Sequence, residues 1–299
     1  MSGPARAAGA PVEVSLVIST RDRAAQLPAC LAAVSRLASD VRWELVLVDN
    51  GSADGTPDVL AAFAAGARVP TRLVREPCRG LGNARNAGVA AARGPIVVFT
   101  DDDCYPAPDF LDAWRAVFAD RAVGYGGVRI LLHDPADFPI TVSWLDHPVP
   151  LPAGTYVSPG VVQGANMAFR REVLERIGGF DPALGPGGTF NFEDLDVAAR
   201  ASMAGFAGGF FTGPTVYHHH RRRAGPDVDA LRRSYAHGRG AYHASLLLRP
   251  GGRRRALGAW RGSLTASLRG RRLGELAREL GGALHYTAFR ALGGLRASR

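Results

Sequence analysis

The chain of 299 residues contains no lysine, so all 36 basic residues are arginine. Chemistry that needs a lysine amine, such as Walker-type phosphate binding or Schiff-base catalysis, is thereby excluded. Cysteine is scarce as well. Cys30, Cys78 and Cys104 are an odd number without a C-x-x-C pair, which argues against a disulfide framework or a thiolate zinc site and for a reducing compartment. No apolar run approaches the roughly 18 residues of a membrane span. No signal-peptide core precedes the first strand-like segment. The expectation is a cytoplasmic protein, soluble or peripheral at the inner face of a membrane. Arginine in place of lysine, with abundant alanine and 37 glycines, points to a GC-rich bacterial genome.

What stands out among the residues present is acid at the end of a strand. Asp101, Asp102 and Asp103 follow the run Pro95-Ile96-Val97-Val98-Phe99-Thr100. Such a run reads as a buried strand, which puts the acids at its carboxyl end, where open α/β sheets place their ligands. Like charges this close repel, and a hard divalent cation relieves them while keeping positions open for phosphate oxygens.

The same unit repeats upstream. Residues 14–18 and 44–49 read as strands, each followed by a helical stretch, 27–37 and 56–65, the second with Thr56 as N-cap and Pro57 in its first turn. A short strand at 73–75 and a helix near 83–92 complete a third alternation. This rhythm predicts a mainly parallel, right-handed α/β sheet with Asp49, Asp101 and the Thr20-Arg21 turn along its carboxyl edge, a place for a nucleotide.

Seven segments, 17–23, 48–56, 82–88, 100–103, 164–170, 178–181 and 193–196, resemble in order and spacing the blocks of the family 2 glycosyltransferases, which have the GT-A fold. They include Asp49-Asn50-Gly51-Ser52, Gly178-Gly179-Phe180-Asp181 and Glu193-Asp194-Leu195-Asp196. The resemblance implies that Asp49 contacts the nucleotide base and that Thr20, beside Arg21, lines the same pocket. It implies that Asp101 and Asp103 are the outer positions of a D-x-D element holding Mn²⁺ or Mg²⁺ and the ribose or diphosphate, with Asp102 between them on the donor side. It also implies that Asp194, next to Glu193, is the base of an inverting transfer from a nucleotide sugar, UDP-sugar being the leading donor and GDP- or dTDP-sugars remaining open. The division of labour is chemically sound: a metal neutralises the leaving diphosphate, and a carboxylate on the opposite face takes the proton of the acceptor hydroxyl.

His218, His219 and His220 end a short apolar segment that reads as a last edge strand. By resemblance His218 completes the metal's coordination. His220 shares its face, and contact with acceptor or phosphate is the competing role. Arg85 and Asn86 are placed at the start of a helix, where Arg85 either meets the diphosphate or bridges the aspartate loop. Gln163 and Asn166 are candidates for contact with donor or acceptor hydroxyls. Trp144 and His147 lie in the proline-rich segment 135–159, the place for acceptor-specific architecture.

Charge divides the chain. From Arg221 onward 18 arginines face Asp227, Asp229, Glu275 and Glu279, a formal +14, against −5 for the first 220 residues. The expected organisation is a catalytic domain over 1–223, with the nucleotide half at about 12–104 and the acceptor half at about 105–223, and an arginine-rich helical extension over 224–299. Helical spacing at 231–248, 257–268 and 273–292 fits either an anionic membrane or packing on the catalytic domain or a second copy as a homodimer. No nucleic-acid-binding motif accompanies the arginines. The acceptor is a hydroxyl on an unidentified molecule, such as a lipid-linked glycan or a natural product. Two rival functions are a catalytically silent scaffold binding nucleotide or lipid and a sugar nucleotidyltransferase, and the lysine-bearing signature of the latter is missing.

Overall fold

The structure, a computed structural model, describes residues 11–249, 253–270 and 273–297. The elements run β1 (Val14–Thr20), α1 (Leu27–Val34), β2 (Trp43–Asp49), α2 (Thr56–Gly66), β3 (Thr71–Arg75), α3 (Leu81–Ala91), β4 (Ile96–Asp101), β5 (Cys104–Pro106) and α4 (Phe110–Val117). They continue with β6 (Val123–Leu132), β7 (Val149–Leu151), β8 (Asn166–Arg170), α5 (Arg171–Ile177), α6 (Glu193–Met203), β9 (Ala207–His218), α7 (Pro226–Leu248), α8 (Arg253–Arg269) and α9 (Leu273–Ala297).

One sheet of order β3-β2-β1-β4-β8-β6-β9-β5, with β7 paired to β9, runs through the centre. The expected parallel order holds across β3-β2-β1-β4. Beyond β4 the sheet is mixed: β8 lies antiparallel to both β4 and β6, and β6 runs parallel to β9. The reversal has a local cause. Asn166 opens β8 opposite Thr100, near the carboxyl end of β4, so β8 enters from that edge and must run back along its neighbour.

Period-two alternation sends Val17, Val46, Val48, Val97 and Phe99 into one core layer and Leu16, Ile18, Leu45, Leu47 and Val98 into the other. The first layer is completed by Ala84 of α3, Val173 and Leu174 of α5, and Val197 and Ala198 of α6. The second is completed by Leu27 and Leu31 of α1, Leu60 of α2, and Phe110 and Trp114 of α4. Strands covered on both faces need apolar residues at successive positions, which is why β1, β2 and β4 read as continuous apolar runs.

Several local expectations are corrected. Thr56 is the first residue of α2 rather than its cap; its buried hydroxyl accepts the Arg23 N–H at 2.8 Å, and the Asp54 carboxylate accepts the Thr56 N–H at 2.9 Å. Arg85 and Asn86 lie in the second turn of α3, which begins at Leu81. The segment before the histidines is the end of the 12-residue β9, and not at an edge, because β5 and β6 pair with it there on opposite sides.

The C-terminal helices join the same core. Ala241, Tyr242, Ala244 and Leu246 of α7, with Ala283 and Tyr286 of α9, belong to the first layer. The Tyr242 hydroxyl donates to the Val157 carbonyl at 2.8 Å, and Arg249 pairs with Asp196 of α6 at 2.6 Å. α7 and α9 cross where Gly240 faces the Glu279 backbone so closely that a Cβ there would overlap it. No helix among the described residues is long and apolar enough to cross a membrane.

Candidate active site

The carboxyl ends of β1 and β4 open onto a cavity of about 730 Å³, within the range of small-molecule sites. The strand register sets its floor: Thr20 stands beside Asp49, and Ser19 beside Asp101. Thr20, Arg21, Asp101, Asp102 and Asp103 all line it. Asp49 lies at the end of β2, where its carboxylate accepts the Ser52 N–H at 3.0 Å; its neighbour Asn50 reaches the wall.

The three aspartates have separate surroundings. The Asp102 carboxylate accepts the Thr20 hydroxyl at 2.6 Å, and Arg23 lies 3.6 Å away. Burial nevertheless pushes its carboxyl up to about 7. Asp103 is brought to His218 by the antiparallel pairing of β5 with β9, which sets Cys104 opposite His218, and His218 Nε2 lies 3.2 Å from Asp103 Oδ1. Burial alone would raise the Asp103 carboxyl and lower the His218 imidazole, but each group overrides this for the other, so Asp103 is held below and His218 above its ordinary value. Asp101, whose side chain is 35% exposed, is pushed up by burial against the pull of Arg85.

The second acid group comes from the amino end of α6. Asp194 accepts the Gly164 N–H at 2.9 Å and the Leu195 N–H at 2.8 Å. Burial raises it, with Gly164 opposing. Glu193 is pushed up to about 7 by burial and by the Asp194 charge, against Arg85. Asp196 on the same turn is fully buried and paired with Arg200 and Arg249, so it serves the fold.

Arg85 joins the two groups. Its buried guanidinium lies 3.3 Å from Asp101 and 2.9 Å from Glu193, and donates to the Gly164 carbonyl at 3.1 Å. The contact with Asp101 ties Arg85 to the aspartate loop. Asn86 exchanges hydrogen bonds with the Phe180 backbone at 2.8 Å in each direction, tying α3 to the Gly178-Gly179-Phe180-Asp181 turn.

A divalent ion fits the donors around Asp103. A His218 Nδ1–H donated to the Thr141 carbonyl, 3.2 Å away, leaves the Nε2 lone pair facing the Asp103 carboxylate. Two acceptors at that distance need a proton or a cation between them, and a carboxylate with an imidazole suits Mn²⁺ or Mg²⁺ better than a soft ion. Cys104 Sγ lies in the same cluster, within 4.8 Å of both ligand atoms. Its thiol is pushed well up by burial and then by Asp103, and a hard ion prefers the carboxylate oxygen to the sulfur.

Other expected residues are spread more widely. Gln163 lines the cavity and donates to the Val142 and Gly160 carbonyls at 3.4 and 3.2 Å. Asn166 is corrected: it is fully buried in the sheet, donates to the Arg129 carbonyl at 3.1 Å and is not part of the wall. Trp144 is 61% exposed, His147 pairs with Asp146, and neither reaches the cavity. His220 lies behind His218, 3.9 Å from the buried Asp137, outside the lining.

Sequence reasoning missed the far wall. Arg222 and, from α7, Leu231, Tyr235 and Arg239 close the cavity. Burial and then the Asp194 charge raise the Tyr235 phenol. The spacing of 231, 235 and 239 along one helix face was the available signal.

The Glycosyl transferase family 2 model matches residues 15–178. Glycosyltransferase AglE of Haloferax volcanii is 26% identical over 195 residues, 65% of this chain and 62% of that protein. A PGL/p-HBAD biosynthesis glycosyltransferase of Mycobacterium tuberculosis is 39% identical over 95 residues, 31% of this chain and 37% of that protein. The matched part thus spans less than two thirds of either relative. Among solved structures, the mannosyltransferase PcManGT from Pyrobaculum calidifontis, in complex with GDP-Man and Mn²⁺, aligns over 97% of this chain and 83% of its own, with 26% identity and a TM-score of 0.63. S. aureus TarS 1-349 aligns over 79% of this chain and 66% of its own, with 14% identity and a TM-score of 0.58, a likeness of fold alone. The architecture is that of the GT-A glycosyltransferases.

Proposed function

The chain belongs to glycosyl transferase family 2, and from that premise we propose that it moves one sugar from a nucleoside diphosphate sugar to an acceptor hydroxyl, with inversion, in the cavity at the carboxyl edge of the sheet. The observation that carries this reading is the Arg85 bridge. One guanidinium holds Asp101 at 3.3 Å and Glu193 at 2.9 Å, so both acid groups face a single space with a fixed separation. The donor's nucleotide lies over Thr20, Arg21, Asp49 and Asn50, and its diphosphate reaches Asp101–Asp103. Asp103 and His218, with Asp101, hold Mn²⁺ or Mg²⁺, which when bound neutralises the departing diphosphate as a Lewis acid.

Asp194 is the general base. Two backbone N–H groups fix its carboxylate while leaving lone pairs free. The acceptor oxygen bonds to the anomeric carbon from the face opposite the diphosphate, its proton passes to Asp194, and the carbon–oxygen bond to the diphosphate breaks, releasing the nucleoside diphosphate. Glu193 and Arg85 keep Asp194 in place. Leu231, Tyr235 and Arg239 lie on the acceptor side, so α7 works with the catalytic unit. UDP-sugars remain the first donors to try, and GDP-mannose stands beside them because the relative covering 97% of the chain was solved with it.

Asp194→Asn tests the assignment. The amide keeps the shape but cannot take the proton, so turnover should fall by roughly 10²-fold or more while donor affinity stays within about twofold. Near-normal turnover would remove Asp194 from the role, and a product with retained anomeric configuration would reject the mechanism.

A further inference from the structure

We propose that the outward face of α9, with the exposed arginines of α8 and α9, is a docking surface for an anionic lipid bilayer. α9 has two unlike sides. Glu279, Gly282, Ala283 and Tyr286 are buried toward the rest of the fold. At 100° per residue, positions 273, 277, 280, 284, 288 and 291 fall within an arc of roughly 80° on the opposite side. They are Leu273, Ala277, Leu280, Leu284, Ala288 and Ala291, all exposed, with Leu273 at 62% and Leu284 at 73%. No acid interrupts this stripe. Ten large apolar side chains are exposed among the described residues, and seven of them lie from Leu248 onward, so the apolar surface is concentrated here.

Charge decides what covers the stripe. Arg253, Arg261, Arg269 and Arg278 of α8 and α9 are exposed while Glu279 is buried, and the last 51 residues of the sequence carry a formal +10. A second copy would bring the same positive surface against its own, whereas anionic headgroups neutralise it as the leucines enter the acyl boundary. Nucleic acid would satisfy the arginines but offers the leucines nothing. Since α7 packs against α9 and lines the cavity, docking through α9 seats the cavity about two helix layers, roughly 16–20 Å, behind the lipid surface. The inference does not depend on the sugar chemistry.

The test is sedimentation of the full chain with vesicles of phosphatidylcholine alone or mixed with phosphatidylglycerol. Binding to the anionic vesicles only is expected, with partial release by salt because exposed charges are screened. Leu280→Asp and Leu284→Asp, at positions already in solvent, should each lower the partition coefficient by about tenfold or more. In an independent variant, Arg261→Gln with Arg269→Gln should lower it by roughly fivefold per arginine. Indifference of the unmutated chain to anionic vesicles would overturn the proposal, as would unchanged binding of both leucine variants. A dimer in sedimentation velocity that Leu284→Asp splits, without vesicle binding, would assign the stripe to a second copy instead.

Discussion

Replacing Arg85 by methionine should cost the fold more than any other single change at the cavity, and the cost should depend on pH. Arg85 is 2% exposed, and its guanidinium contacts Asp101, Glu193 and the Gly164 carbonyl. Removing one partner of a buried ion pair costs about 3–5 kcal/mol. Glu193 is nearly enclosed, with 9% of its side chain exposed, and carries most of that loss, whereas Asp101, 35% exposed, recovers part of it from cavity water. The expected loss is about 3–4 kcal/mol near pH 8, a fall in Tm of roughly 6–8 °C at about 2 °C per kcal/mol for a chain of this size. Near pH 5.5 the loss should shrink, because Glu193, raised to about 7, is then protonated with or without Arg85. Thermal unfolding of both proteins at the two pH values reads this directly. A Tm within about 1 °C of the parent near pH 8 would refute the bridge, and an equal fall at both pH values would place the loss in packing rather than charge.

Glu193→Gln removes a carboxyl whose folded value stands at about 7, above its ordinary range. The folded state therefore binds more protons than the unfolded one, this group's contribution to stability falls as pH rises through about 4.5–7, and denaturant titrations should show a flatter pH slope for the variant; an unchanged slope contradicts the assignment. Truncation after Arg223 strips Ala241, Tyr242, Ala244 and Leu246 from the core, so the fragment should aggregate or unfold, and a stable monomer by light scattering would show that α7 is dispensable. Gly240→Ala drives a methyl into the Glu279 backbone at the crossing of α7 and α9. It should lower stability by about 1–3 kcal/mol, measured by chemical denaturation, and a neutral result would place α9 elsewhere.

The β1, β2 and β4 strands and the edge they form were legible because strands covered on both faces leave unbroken apolar runs. The mixed half was not, since β8 and β6 are short or glycine-bearing, and their direction depends on where the chain re-enters the sheet. The acids were legible as residues, and the block resemblance ordered them. Their separate surroundings were not: the Thr20 hydroxyl on Asp102 and the His218 ring on Asp103 come from partners 82 and 115 positions away. Asn166 shows the opposite failure, a polar residue expected in the pocket that satisfies a backbone carbonyl inside the sheet. The arginine-rich tail was legible as helix, but composition could not reveal that α7 closes the cavity with Tyr235 and Arg239.

The most direct measurement is the metal-dependent thermal shift of the intact protein with nucleotide sugars. UDP-, GDP- and dTDP-sugars are each added at about 100 times Kd with Mn²⁺, with Mg²⁺, or with EDTA, where binding to the native state stabilises by about 2.7 kcal/mol. The account predicts a rise of roughly 5 °C with at least one donor, abolished by EDTA and by Asp103→Ala. The same small response with every donor, or a rise that survives both EDTA and Asp103→Ala, would contradict it.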